Sequence, residues 1–330
     1  SRKRGSAGPA NEDWKRIGGG DGFICRVDPK DPHLVYYESQ YGNMGRLDLK
    51  TGARARFRPP TDKGMKTRAV YNWKTPFTLS RHNSKIFYCA GNYVFKSLDR
   101  GNKLQRISPR ISITERGSAT ALAESPRDPD VLYVGTDDGA LWVTRDGGKQ
   151  WKNVTAKVKL PGSYQVSTIE VSRFADGWAY VAFDGHRSND DAPHLYVTQD
   201  YGETWRAINA NLPTGSTRCL REDVRNPDLL YCGTEFGVWV SIDRAKSWHK
   251  LNNNLPTVAV HEIAVHPTQN EIVAGTHGRS VWTLDVTPLR QLDSKVLAAK
   301  SHLFQSARAV RWAGALTPSR SGHRVYAGDN

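Results

Sequence analysis

Three stretches of this chain repeat one grammar, and that repeat limits the fold more than any other feature. LWVTRDGGKQWKNVT (141–155), LYVTQDYGETWRAIN (195–209) and VWVSIDRAKSWHKLN (238–252) each run apolar–aromatic–apolar, then Ser/Thr-x-Asp, then Trp and a short polar strand. VFKSLDRGNKLQRIS (94–108) is a weaker copy, and GRLDLKTGARARF (45–57) and SVWTLDVTP (280–288) are degenerate ones. The shared Asp falls at Asp48, Asp99, Asp146, Asp200, Asp243 and Asp285, at intervals of 42–54 residues. That period fits a four-stranded blade of a β-propeller and not a helical solenoid.

Each unit spells the same strands upstream of its Asp. ATALAES (119–125) reads as a strand, RDPD (127–130) as a turn, VLYVGT (131–136) as a second strand and DDG (137–139) as a tight turn. Short strands separated by Gly, Asp and Pro are hairpin signals. Only residues 288–300 carry a helical apolar period. The predicted class is therefore all-β: four-stranded blades, six repeats in this chain, in a six- or seven-bladed ring. In the recurring turn the Asp and Ser/Thr oxygens accept backbone N–H groups, the Gly supplies positive φ, and the Trp packs one blade on the next. Ala245 stands where the other strong copies have Gly, so that turn is expected to be strained or differently shaped.

Composition narrows the function classes. No apolar run approaches the length of a membrane-spanning helix. The net charge of +14 speaks to anionic partners and not to fold. The opening Ser1–Gly5 stretch has no apolar leader core. The four cysteines (Cys25, Cys89, Cys219, Cys232) show no metal-ligand spacing. Cys219 and Cys232 either pair across one hairpin or stay as buried thiols, the second being the commoner fate of strand cysteines.

The repeated turns themselves, Thr144-x-Asp146-x-Gly148-x-Gln150-Trp151, Thr198-x-Asp200-x-Gly202-x-Thr204-Trp205 and Ser241-x-Asp243 through Trp248, resemble Asp-box (BNR) repeats. Such repeats occur in sialidases, xyloglucanase-like hydrolases, photosystem assembly propellers and the ligand-binding domain of sortilin. NEDWKRIGGGDGF (11–23), the stretch from YNWKTPF to SLDRG (71–101) and GTHGRSVWTLDVTPLRQL (275–292) resemble the large bacterial sortilin-like repeat proteins, often labelled glycosyl hydrolase. The resemblance implies an exported, extracytoplasmic protein with further domains. On that reading residues 1–12 are a basic N-terminal segment, 13–287 the propeller, and 288–330 an extension leading toward an absent domain. Residues 13–18 read as an outer strand. Either it completes the last unit and closes six blades, or the ring has seven with part supplied from elsewhere; the size of the family's propellers favours the second.

Strand alternation also places the loops. The Asp turns join strands three and four of each blade, so they lie on the face opposite the turns joining strands two and three. The latter turns carry the acids Asp137, Asp138, Asp184 and Glu235, candidates for a glycosidase pair. The same face carries Tyr71, Trp73, Tyr164, Arg187, Arg218, His277 and Arg279 as candidate ligand-binding residues. HEIAVH (261–266) is no zinc motif, because His261 and His266 are five apart on a strand. No metal and no cofactor are expected. Basic runs at 1–4, 54–68 and 307–324 suit a polyanionic glycan or a membrane-complex surface, and no nucleic-acid motif accompanies them. The expected function is a noncatalytic scaffold binding protein, peptide or glycan, including the remainder of its parent polypeptide. The alternatives are a sialidase- or xyloglucanase-like glycoside hydrolase and an accessory subunit of a membrane complex.

Overall fold

A computed structural model describes residues 14–60 and 69–305. Its strands form six antiparallel sheets in chain order. Blade 1 holds β1 (Cys25–Val27), β2 (Leu34–Glu38), β3 (Met44–Asp48) and β4 (Arg54–Phe57). Blade 2 holds β5 (Phe77–Leu79), β6 (Phe87–Ala90), β7 (Val94–Ser97) and β8 (Gln105–Arg106). Blade 3 holds β9 (Ala119–Glu124), β10 (Leu132–Thr136), β11 (Leu141–Thr144) and β12 (Lys152–Asn153). Blade 4 holds β13 (Gln165–Val171), β14 (Ala179–Asp184), β15 (His194–Thr198) and β16 (Arg206–Ala207). Blade 5 holds β17 (Thr217–Glu222), β18 (Leu230–Thr234), β19 (Gly237–Ser241) and β20 (His249–Lys250). Blade 6 has three strands, β21 (Val260–Val265), β22 (Glu271–Thr276) and β23 (Val281–Asp285). The fold is a β-propeller. Its helix is confined to short turns such as α1 (Thr155–Val158) and α2 (Ser294–Ala298), the latter inside the stretch with helical period.

The repeated turn has one geometry in blades 2 to 5. Ser97, Thr144, Thr198 and Ser241 each donate a hydroxyl to the Asp two residues on, at 2.6–2.8 Å. Each hydroxyl also accepts the backbone N–H four residues on, from Gly101, Gly148, Gly202 and Ala245. The three glycines sit at φ of 92°, 97° and 88°. Ala245 keeps the same bonds at φ 61°, so the expected irregularity is backbone strain within an unchanged shape. The indoles fasten blades together: Trp151 Nε1 donates to Ile107 O and Trp248 Nε1 to Ile208 O, each across a seam.

Five core clusters fill the seams between consecutive blades. Tyr36, Phe57, Phe77 and Phe87 join blades 1 and 2, with Tyr36 stacked on Phe87 at 5.8 Å. Ala90, Ala119 and Val134 join blades 2 and 3, Tyr133 and Val166 blades 3 and 4, Tyr180 and Leu220 blades 4 and 5, and Tyr231 and Ile263 blades 5 and 6. Among the described residues no such cluster joins blade 6 to blade 1, and all three residues of β1 are exposed. Of residues 13–18, expected as an outer strand, residue 13 lies outside the described residues and 14–18 form no strand: Ile17 O accepts from Arg54 Nη1, so the segment lies along blade 1 and leaves β23 without a fourth strand among the described residues.

Cys219 lies opposite Gly233 and Cys232 opposite Leu220, so the two thiols do not face each other. Both are buried and free, and burial pushes the Cys219 thiol up to about 12. Residues 288–305 are not a loose tail. The Arg290 guanidinium grips Asp223 at 2.8–3.0 Å and reaches Asn270 Oδ1 at 2.6 Å.

Buried glutamates at the ends of β2 and β17 tie neighbouring blades. Glu38 accepts Thr75 N at 3.1 Å while its Oε2 meets no donor. Glu222 accepts Ser172 Oγ and Arg173 N, both at 2.8 Å. Burial raises the Glu38 carboxyl to about 8 and that of Glu222 to about 7. A carboxyl raised in the folded state keeps a proton that the unfolded chain loses, so this pair makes stability fall as pH rises from about 4.5 to about 8. Glu38→Gln is therefore expected to be near neutral at pH 5 and stabilising by about 2 kcal/mol at pH 8.5. Urea midpoints of the two proteins at both pH values check this; equal differences at the two would contradict it.

Candidate binding site

Side chains on the innermost strands meet where six blades converge. One register position recurs two residues before the residue that opens each inner turn: Arg26, Thr78, Ala123, Glu170, Arg221 and Ala264. Arg81 and Arg173 follow in the turns after β5 and β13. Arg221 bonds Glu262, and its Nη1 lies 3.9 Å from Glu170 and 2.7 Å from Thr168 Oγ1. Arg173 lies 3.4 Å from Glu170. Partial desolvation by the surrounding channel wall lowers Arg26, opposed by Glu262 and reinforced by Arg221 and Arg81. The same desolvation lowers Arg81, with Arg173 and Arg221 adding repulsion. Groups from blades 1, 2, 4, 5 and 6 can act on one another this way only around the axis. The channel thus holds four guanidiniums with Glu170 and Glu262, while Glu222 lies 3.9 Å from Arg173 and Glu124 acts on Arg81 from the strand end; the Arg26 and Arg81 side chains still reach solvent.

The loop face one end of this channel opens onto is more committed to structure than the sequence suggested. Asp137 accepts Ser118 N at 2.8 Å, Ser118 Oγ at 3.1 Å and Asn72 Nδ2 at 2.9 Å. Asp138 accepts Thr114 N at 2.7 Å and the hydroxyls of Thr114 and Thr136. Asp184 is buried and bonds Arg218, whose other Nη bonds Glu235. The structure therefore brings Asp184, Arg218 and Glu235 together and holds Asp137 and Asp138 apart in loop-forming roles.

The aromatic and basic candidates divide the same way. Tyr71 is buried against Gly42 and Gly91, where a Cβ would come within 3 Å of its ring. Tyr164 is buried too: it stacks on His194 at 4.9 Å and donates to Asp190 at 2.6 Å. That hydroxyl, the Ala192 N–H and His194 hold the Asp190 carboxyl down at about 2. Trp73 is 48% exposed, with Tyr41 at 5.5 Å and Phe23 at 6.4 Å; strand alternation places Tyr41 and Trp73 on this face, and Phe23 joins them in the structure. Tyr41 sits at φ 56°, a strained value for a bulky residue, which presents its ring beside Trp73. Arg187 and Arg279 are exposed on short turns. His277 packs on His261 at 5.0 Å, while His266 Nδ1 accepts from Thr268 N and Gln269 N. Among the described residues no group of three His, Cys, Asp or Glu could hold a metal ion. No helix among them is long and apolar enough to cross a membrane.

The geometry defines a repeat β-propeller with a charged axial channel. Residues 92–235 match the Sortilin-Vps10 family, described as sortilin, neurotensin receptor 3. Over those residues the propeller is similar to that family. An oligoxyloglucan-reducing end-specific xyloglucanase of Emericella nidulans is 33% identical over 97 residues, 28% of this chain and 11% of that protein. Among solved structures, the GH74 xyloglucanase of Xanthomonas campestris superposes with a TM-score of 0.60 at 16% identity, covering 78% of this chain and 44% of its own. The U3-55K structure gives 0.61 at 12% identity, covering 87% and 84%. The chain spans a small part of the curated relative and less than half of the xyloglucanase structure. At these identities the structural matches establish the fold.

Proposed function

We propose that the chain is a noncatalytic binding module that takes an acidic, extended peptide or protein segment along its axial channel. The observation that carries this is the convergence of Arg26, Arg81, Arg173 and Arg221 on the axis, where Arg173 and Arg221 are paired with Glu170, Glu222 and Glu262 and the exposed Arg26 and Arg81 have no carboxylate within ion-pair distance among the described residues. Guanidiniums present forked donors that match carboxylates, and the rigid ring fixes them before a ligand arrives. The match to the sortilin family supports a peptide or protein ligand over a small molecule. A placement outside the cytoplasm, within a longer exported polypeptide, belongs to the same reading.

The second reading is glycoside hydrolysis, favoured by two carboxylates, Asp184 and Glu235, on the two nitrogens of Arg218 and by the xyloglucanase similarity. A hydrolase needs one of its pair to give up a proton to the leaving group. Here both carboxylates serve as acceptors for the same cation, which supports a structural part for them. The test is fluorescence anisotropy with a labelled octaglutamate peptide. Arg26→Glu with Arg81→Glu is expected to weaken binding at least tenfold. Xyloglucan cleavage that Glu235→Gln abolishes, with no peptide binding, would instead establish the hydrolase.

A further inference from the structure

Blade 1 carries a second basic feature that the channel does not use. Strand alternation turns Tyr36, Met44 and Phe57 toward blade 2 and turns Tyr37, Gly45, Arg54 and Arg56 the other way. That outward side and the sheet end at Met44 and Phe57, with residues 16–19 as the second wall, bound a cleft of about 610 Å³. Arg16, Arg54, Arg56 and Arg58 line it, and among the described residues none of its lining is Asp or Glu. The walls are fixed: Arg54 Nη1 donates to Ile17 O at 2.8 Å, and Arg16 Nε donates to Gly18 O at 3.2 Å. Arg58 lies over the Tyr71 ring at 5.9 Å. Four guanidiniums gathered with no Asp or Glu among the described lining residues repel one another, and an oxyanion ligand removes that cost.

The loop that lines one end of the cleft, residues 39–43, also presents Tyr41 to the exposed cluster with Trp73 and Phe23. These rings are tilted at 57° and 79° to one another, which makes a faceted apolar surface and not a slot for flat bases. Neutral hydrogen-bonding groups, Ser39 and Asn43, lie on the cleft lining. Tilted aromatic rings beside neutral hydrogen-bonding groups and forked cations match a chain of sugars that bear carboxylates: ring faces rest on aromatics, hydroxyls meet the amide and hydroxyl, and acids meet arginines.

We propose that this cleft and the adjoining Phe23–Tyr41–Trp73 surface form a binding site for an acidic polysaccharide, separate from the axial channel. The probe is polygalacturonate, followed by calorimetry at low and high salt, with neutral xyloglucan as comparator. Arg16→Glu with Arg56→Glu, both exposed, is expected to cut affinity at least tenfold and to flatten its salt dependence. Trp73→Ala is expected to cut it at least threefold. Lys103→Glu with Lys149→Glu, an equal charge change on the opposite face, is expected to stay within twofold, as is the channel variant Arg26→Glu with Arg81→Glu. Melting curves show which variants remain folded, and Arg16→Lys with Arg56→Lys, which keeps charge but loses the forks, is expected to fall between. Equal losses from the cleft and opposite-face variants would overturn the site in favour of bulk charge. Tighter, Arg56-dependent binding of a single-stranded oligonucleotide or of phosphatidylglycerol vesicles, with polygalacturonate unbound, would overturn the ligand class.

Discussion

Arg290→Ala is expected to lower the unfolding free energy by about 3–5 kcal/mol, the range for breaking a buried ion pair from one side. Asp223 has a fully buried side chain and that of Arg290 is 7% exposed. The aspartate is held on every side: Arg225 N at 2.8 Å and Asn226 N at 3.1 Å reach one oxygen, Tyr231 Oη at 3.1 Å the other, and Arg290 both. Removing the guanidinium leaves a buried carboxylate with neutral donors alone. Residues 288–305 would lose their main anchor to blade 5, so the loss should appear as a lower urea midpoint with faster proteolysis near 290. Arg290→Met, which keeps the stem and not the charge, should lose nearly as much. An unchanged midpoint would show that the extension adds nothing to the ring.

Trp248→Ala should cost a similar amount, about 3–5 kcal/mol. The indole is 1% exposed, sits in the core between blades 4 and 5, and satisfies Ile208 O at 2.8 Å. Trp248→Phe separates the two contributions. It retains most of the apolar contact and leaves one buried carbonyl unpaired, a further cost of about 1–3 kcal/mol. Calorimetry on both variants checks the order, and a Phe variant as stable as the parent would remove the hydrogen bond from the account.

The blades were legible because their signals are local. In the three strong copies the Asp, its Ser/Thr two residues before and the Trp beyond lie inside one hairpin, so a single pass along the chain recovers them. The three-stranded sixth unit was legible too, since nothing after Asp285 repeats the short polar strand. The stretch 13–18 reads as a strand, but its described residues run into Gly18-Gly19-Gly20, which packs on Tyr37 and Gln40 and pairs with no strand. Tyr71 and Tyr164 read as loop aromatics, and their burial depends on distant partners: Gly42 and Gly91 for one, Asp190 and His194 for the other.

The arginines that line the channel are not legible, for the opposite reason. Arg26, Arg81, Arg173 and Arg221 are scattered over 195 positions with no motif around any of them. Only superposing the repeats on the residue that opens each inner turn reveals that Arg26, Glu170 and Arg221 share one level. Their meeting is a property of ring closure, which no stretch of sequence contains. The acids Asp137 and Asp138 were legible as turn residues, and the hydrogen bonds from Ser118 and Thr114 give them that work.

The central claim, an axial channel that binds by charge, is most directly tested by exchanging that charge. Anisotropy titrations would pair labelled octaglutamate and octalysine with the parent and with the Arg26→Glu, Arg81→Glu variant. The account predicts that the parent binds octaglutamate and not octalysine, and that the variant reverses this preference while remaining folded. A variant that keeps the parent's preference for octaglutamate would contradict it.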